Sequence, residues 1–245
     1  MRLSITSGHR PPRRAQRGIG LIELMVGITV GLIVTAGAAL VATKQINEHR
    51  RLMLEVQMQQ DLRVAADLIQ QDLRRAGFRG FPANGVWEPA HMKAAMVPAK
   101  DPLPNPYAAL TVNTPGDTIE YRYARDAGGG PNATNIVADD EQFAVRLVNK
   151  TLFLQKGIVN GQRNWQPITD PDVVEITGFK PSIVTQQIPL DDLCICPAGV
   201  CAAVGMTLRR VNITIEAVSK SDAAVKRTLQ ISEKIRADDV SPSCP

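Results

Sequence analysis

From Leu24 to Ala42 the chain contains no charged residue. Those 19 residues, at about 1.5 Å each, make a helix of roughly 28 Å, enough to cross a hydrocarbon core of about 30 Å. One span fits, and it lies near the start of the chain. Immediately ahead of it stands Glu23. A carboxylate on a membrane helix costs roughly 2.5–3.5 kcal/mol at the bilayer centre and less near an interface, so this side chain asks for a partner. The segment Met1 to Gly18 carries Arg2, Arg10, Arg13, Arg14 and Arg17 and no acid. By the positive-inside tendency that end stays in the cytoplasm and the remainder goes outward, although Lys44, Arg50 and Arg51 beyond the span make the asymmetry modest.

The string Gly18-Ile19-Gly20-Leu21-Ile22-Glu23-Leu24-Met25-Val26 closely resembles the N-terminal cleavage and methylation signal of type IV prepilins, in which a peptidase cuts after a glycine and glutamate is the fifth residue of the product. The resemblance implies a cut between Gly18 and Ile19 and N-methylation of Ile19. The chain departs from the commonest signal in having Ile19 where phenylalanine is usual and Gly20 where threonine is usual, while the glycine and the glutamate are kept. Two plainer readings compete. One is a secretory signal peptide cleaved at Ala36-Gly37-Ala38; the other is a single-span anchor in which Glu23 merely sits at the interface. Against the first, ordinary signal peptides place no acid at the front of the apolar region, and here no polar gap separates that region from the helix that follows.

At 245 residues, one domain of about 150–170 residues beyond the membrane helix is expected. The net charge of +4 belongs to the leader, because 23 of the 28 basic residues remain after its five arginines are removed, against 24 acidic ones. A mature chain near −1, with no basic cluster interleaved with aromatics, weakens any argument for a nucleic-acid surface, and no nucleic acid is expected as a partner. Cys194, Cys196, Cys201 and Cys244 fall in the part that topology places outside the cytoplasm, so two disulfides are expected. Their spacing, Cys-x-Cys-x4-Cys with the last thiol 43 positions on, does not match paired zinc ligands, and no histidine lies near. A Cys194–Cys196 bridge would strain a tiny ring. One of that pair is therefore expected to close a short loop with Cys201 while the other ties down the tail through Cys244.

Past the span, Leu54, Met58, Leu62, Ala65, Ile69, Leu73 and Ala76 recur at spacings of four and three, with charged and amide residues on the other faces. No proline occurs from Ile19 to Arg79, so one helix, apolar first and amphipathic later, is the simplest construction. Arg74 and Arg75 are placed in its last turn and Gly77 at its C-cap. A coiled-coil seam would explain the same stripe, but packing on the chain's own sheet suits its mixed side-chain sizes better. Gly27-x3-Gly31 resembles a close-packing motif of membrane helices. The stretch from Phe81 to Pro115 is proline-rich and reads as loop. Strands are predicted over Thr118–Ala124, Phe143–Val148, Thr151–Gln155, Val173–Thr177, Leu208–Val218 and Lys226–Ile235, with a turn at Asn149-Lys150. Their alternation predicts a half-buried antiparallel sheet. Gly128-Gly129-Gly130 precedes neither a helix nor a Lys-Ser/Thr pair and reads as a flexible loop, not a phosphate cradle.

Signal, long helix and sheet together resemble the α+β architecture of type IV pilins and pseudopilins: a long N-terminal helix, transmembrane then amphipathic, packed on an antiparallel β-sheet. The expected division is a leader at 1–18, the transmembrane half of the helix at 19–42, its amphipathic half at 43–77, and an exported β-rich domain at 78–245 that ends in the cysteine region. Gln59-Gln60-Asp61-Leu62-Arg63, the run Gln71 to Gly80, Asp117 to Tyr123 and Arg227 to Ile231 are similar to the PilW-type minor pilins. That resemblance implies a minor pilin in a tip or priming complex for pilus assembly, with other minor pilins, the major pilin, the prepilin peptidase, the inner-membrane assembly platform and membrane lipid as partners. It implies no cofactor, no metal and no nucleic acid. Glu23 would pair with the new N-terminal amine of a neighbouring subunit, offsetting the desolvation of both charges. A type II secretion pseudopilin shares signal and architecture. A tethered periplasmic enzyme is the alternative of another class, but His49 and His91 have no nucleophile motif or metal-ligand spacing near them, and Trp87 and Trp165 read as packing anchors.

Overall fold

The computed structural model describes residues 18, 20–85, 103–125, 136–190 and 205–241. The chain divides into two units, Met1–Arg50 and Arg51–Pro245. The first is helical wherever it is described past Gly20. A single helix, α1, runs over Leu21–Leu73, as the absence of proline predicts. Within the first unit every described side chain of α1 is exposed, and the helix is long and apolar enough to cross a membrane, with a mean hydropathy of 2.3 in its most apolar window. Its hydroxyls are turned inward. Thr29 donates to the Met25 carbonyl at 2.8 Å and Thr43 to that of Leu40 at 3.0 Å, so neither hydroxyl proton is left unmet on the exposed helix surface.

In the second unit α1 buries Met58, Leu62, Ala65, Ala66, Ile69 and Leu73, the face marked by the four-and-three spacing. The helix stops at Leu73, four residues short of the expected Gly77, and Arg74 and Arg75 lie beyond its last turn. The cause is competition for backbone bonds. Gly77 donates its N–H to Arg122 at 2.8 Å and Ala124 donates to the Phe78 carbonyl at 2.8 Å, so the chain is drawn off the helix to the end of a strand. Gly77, at φ 80°, supplies the left-handed residue this exit needs.

Among the described residues eight strands follow, β1 Leu110–Val112, β2 Thr118–Arg122, β3 Gln142–Val148, β4 Thr151–Val159, β5 Gln162–Pro167, β6 Val174–Pro189, β7 Gly205–Ser219 and β8 Lys226–Ser241. All pairs are antiparallel and in chain order, but they form two sheets, β1 to β5 and β6 to β8, where the alternation pattern suggested one. The α+β class and the antiparallel pairing stand. The β3–β4 turn is Asn149-Lys150 with φ of 49° and 63°, and β4–β5 turns at Asn160-Gly161 with 52° and 75°. Two consecutive positive φ values are what a two-residue hairpin twisted with its strands requires.

One core serves the second unit. The buried stripe of α1 meets Ile119 and Tyr121 of β2, Phe143 and Val145 of β3, Leu152 and Leu154 of β4, Ile176 and Phe179 of β6, Val211, Ile213, Ile215 and Ala217 of β7, and Ile231 and Ile235 of β8. Each fully buried aliphatic of this kind contributes about 1.5–3 kcal/mol relative to exposure. The stripe is thus spent on the chain's own sheets and is not a coiled-coil seam.

Candidate functional site

The predicted processing site lies at the start of α1. Gly18 and Gly20 are exposed and non-helical, and Ile19 between them lies outside the described residues. The Gly20 carbonyl accepts from the Leu24 N–H at 3.1 Å, which makes Gly20 the last residue before the helix. The Gly18–Ile19 bond therefore falls just ahead of regular structure. Glu23 is exposed in the first turn of α1, where its charge complements the positive end of the helix dipole. On both sides of it the large apolar side chains are bare: Leu21 is 75% exposed and Ile22 78%, and further along Ile33 is 67%. An anion at the head of an uncovered apolar rod suits a helix covered by lipid or by other helices, and needs a cation only when those helices exclude water. Gly27 and Gly31 also have open space where a Cβ would stand.

The four cysteines, His91 and Trp87 lie outside the described residues, and His49 is exposed on α1. Among the described residues no group of three His, Cys, Asp or Glu could hold a metal. A cleft of about 510 Å³ beside α1 is walled by Leu68, Leu154, Pro167, Ile168 and Pro171. Of its polar groups, Thr169 is already committed, its Oγ1 accepting from the Leu152 N–H at 3.1 Å.

Three polar clusters without a sequence signature organise the second unit. Asp72, near the end of α1, accepts from the hydroxyls of Tyr121 at 3.2 Å and Tyr123 at 3.3 Å. Burial raises its carboxyl above the usual aspartate value, against the pull of those two bonds and of Arg75 and Lys156. The same surroundings push Tyr123 up to about 12. Glu141 has no exposed surface. Its carboxylate accepts from the Tyr107 hydroxyl at 2.6 Å and from the N–H groups of Ala138 and Arg125 at 2.9 and 3.1 Å. Glu55 pairs with Arg51 on α1 and with Arg227 on β8, at 3.6 and 2.6 Å. None of these clusters pairs a nucleophile with a general base, and their separations in sequence, 49 residues for Asp72 and Tyr121, hid them from a reading of local pattern.

The family model for prepilin peptidase-dependent protein B matches residues 51–235, and that for the prokaryotic N-terminal methylation motif matches residues 13–39. Neither the comparison with curated proteins nor that with solved structures returns a match. The two family matches meet the geometry at the two places it singled out, the glycine-flanked start of an exposed apolar helix and the helix-on-sheet domain behind it. The chain belongs to the prepilin peptidase-dependent protein B family, and with its N-terminal methylation motif it is a type IV pilin-like protein.

Proposed function

We propose that this protein is a minor pilin of the PilW type that takes part in type IV pilus assembly, in a priming or tip complex with other minor pilins. The supporting observation is the pairing of Glu23, in the first turn of α1, with an uncovered apolar helix surface that continues through Val41. The prepilin peptidase removes 1–18 and Ile19 becomes the N-methylated first residue. The span then holds the subunit in the inner membrane, N-terminus cytoplasmic and the β-rich domain periplasmic, until the assembly platform moves it from lipid into a helical bundle. There the carboxylate of Glu23 meets the amine of a neighbour, and the globular domain makes lateral contacts with the other minor pilins and the major pilin. This role needs no cofactor, metal or catalysis.

Deletion of the gene tests the proposal. Surface pili and twitching should fall sharply while the major pilin still accumulates in the membrane, and the protein should co-purify with minor pilins from sheared filaments. Normal piliation with failed export of folded proteins would assign it to a secretion pseudopilus instead.

A further inference from the structure

The outer face of the five-stranded sheet, opposite the core, carries a row that packing against α1 does not use. Register aligns Glu120, Ala144, Gln155 and Trp165 across β2, β3, β4 and β5. Two arginine side chains lie across this row. Arg146 sets its guanidinium 3.8 Å from the centroid of the Trp165 ring. Arg163 reaches from edge strand β5 to Glu120 on β2, across the two strands between them, and closes a 2.6 Å ion pair. Beneath them Ala144 is 1% and Gln155 2% exposed.

The buried groups are incompletely paired. Gln155 donates through Nε2 to the Gln142 carbonyl at 3.0 Å, but its Oε1 has no partner, and neither has Nε of Arg146. An unmet acceptor and an unmet donor on one sheet face are unusual in a folded chain, where buried polar groups are almost always bonded. Arg163 and Glu120 are each about half exposed, and an ion pair of that kind is weak enough in water to open. Opening it frees the Arg163 guanidinium on the sheet face that also carries Arg146, Gln155 and the half-buried Trp165 ring.

We propose that this face binds an acidic saccharide. A hydroxyl supplies the proton that Gln155 Oε1 lacks, and a ring or carboxylate oxygen accepts from Arg146 Nε. Arg146 already covers one face of the Trp165 ring, so the C–H groups of a pyranose pack against the part of the indole left exposed, and a uronate carboxylate replaces Glu120 on Arg163 in the planar two-pronged geometry guanidinium favours. Hydroxyl donors at every sugar distinguish this ligand from a phosphate backbone, which would satisfy the arginines and leave Gln155 unmet. The proposal is independent of the role in pilus assembly.

The test uses the full-length protein in detergent micelles. Trp87 and Trp165 are its two tryptophans, so Trp87→Phe leaves Trp165 as the reporter. Titration with an alginate hexasaccharide should give a saturable change in Trp165 emission that weakens with added salt. Arg146→Ala and Gln155→Leu should each weaken binding by about tenfold or more. Both variants should keep the wild-type near-ultraviolet circular dichroism, and binding is read well below the unfolding midpoint, which Gln155→Leu lowers by removing the bond to the Gln142 carbonyl. Any one of the following would overturn the proposal: no emission change at millimolar oligosaccharide, equal binding of neutral maltohexaose, tighter binding of oligothymidylate, or unchanged binding by both variants.

Discussion

The Asp72 carboxylate accepts a hydrogen bond from the Tyr121 hydroxyl at 3.2 Å, tying the last turn of α1 to β2 from within the core. A second bond from Tyr123 and a face-to-face stack of Tyr123 on Phe143, 3.9 Å between centroids, extend the tie to β3. Asp72→Ala should destabilise the domain by about 1–3 kcal/mol, because it strands the buried Tyr121 hydroxyl. The pH dependence has a definite sign. Burial raises the carboxyl in the folded state, so its contribution is fully present below the ordinary aspartate value of 3.8 and is lost as pH rises through the raised folded value. Asp72→Asn keeps an acceptor and removes this dependence. Denaturant midpoints of the two chains should therefore converge at low pH and separate in favour of Asp72→Asn towards neutrality; parallel profiles would refute it.

Glu141 joins Tyr107, Arg125 and Ala138, three points far apart in the chain. Glu141→Ala orphans the N–H groups of Ala138 and Arg125 and leaves the Tyr107 hydroxyl only the longer bond to the Ile136 carbonyl at 3.3 Å, so the loss should exceed that of Asp72→Ala, about 3 kcal/mol or more. Tyr107→Phe removes one donor and should cost about 1 kcal/mol. Urea unfolding of both variants checks the order.

How much of this was legible in the sequence depended on whether the signal was local. The helix stripe from Met58 to Leu73 and the Asn149-Lys150 turn are written in neighbouring residues, and both form as read. Strand β5 was missed because Gln162, Arg163 and Asn164 are polar, and an edge strand with little burial shows no alternation. Strand β6 was cut short at Thr177 because Gly178 and Pro181 look like breakers. Gly178 instead marks a bulge against Glu216, and Pro181 sits on a sheet edge where no ladder donor is required. In β4, Lys156-Gly157 reads as a strand end, yet Gly157, at φ 84°, lets the strand pass a backbone that a Cβ would meet at 2.7 Å, at Asp140 Cα. The prepilin signal was legible because it is contiguous. The sheet-face row of Arg146, Gln155 and Trp165 was not, because only register assembles it.

The cysteines lie outside the described residues, yet the strands that flank them constrain their pairing. Gly205 pairs with Pro189 on one side and with Ser241 on the other, so the segment 190–204 and the tail beyond Ser241 leave the same end of the three-stranded sheet. Strands in a sheet are about 4.8 Å apart and an extended residue spans about 3.3–3.6 Å. Cys244 stands three residues past Ser241 in the sequence, and a bridge from it to one of the other three cysteines is the expectation. Non-reducing peptide mapping should find two intrachain disulfides, one of them containing Cys244, each worth about 2–4 kcal/mol. Four free thiols or bound zinc would refute this.

Processing should occur at Gly18–Ile19, since that cut alone makes Glu23 the fifth residue. Mass spectrometry of the mature N-terminus should read N-methylated Ile19, and Gly18→Ala should slow or block cleavage. A chain beginning at Ala39 would establish an ordinary signal peptide in its place.

Glu23→Leu separates assembly from insertion. The leader and the apolar span suffice for insertion, whereas the carboxylate is needed only where a neighbour's amine must be met inside an apolar bundle. The variant should therefore be cleaved and anchored like wild type, with α1 still helical, because leucine favours a helix as well as glutamate does. Its incorporation should fall well below wild type, measured as the ratio of filament to membrane protein in sheared fractions, and the cells should show a partial form of the deletion phenotype. Glu23→Gln keeps the size and removes the charge, so it should fail like Glu23→Leu if charge pairing is the cause and incorporate normally if only shape or a hydrogen bond matters. Wild-type incorporation of both would rule out the pairing mechanism while leaving the family membership untouched, because the family rests on residues 51–235 and the signal motif as a whole, not on the one carboxylate.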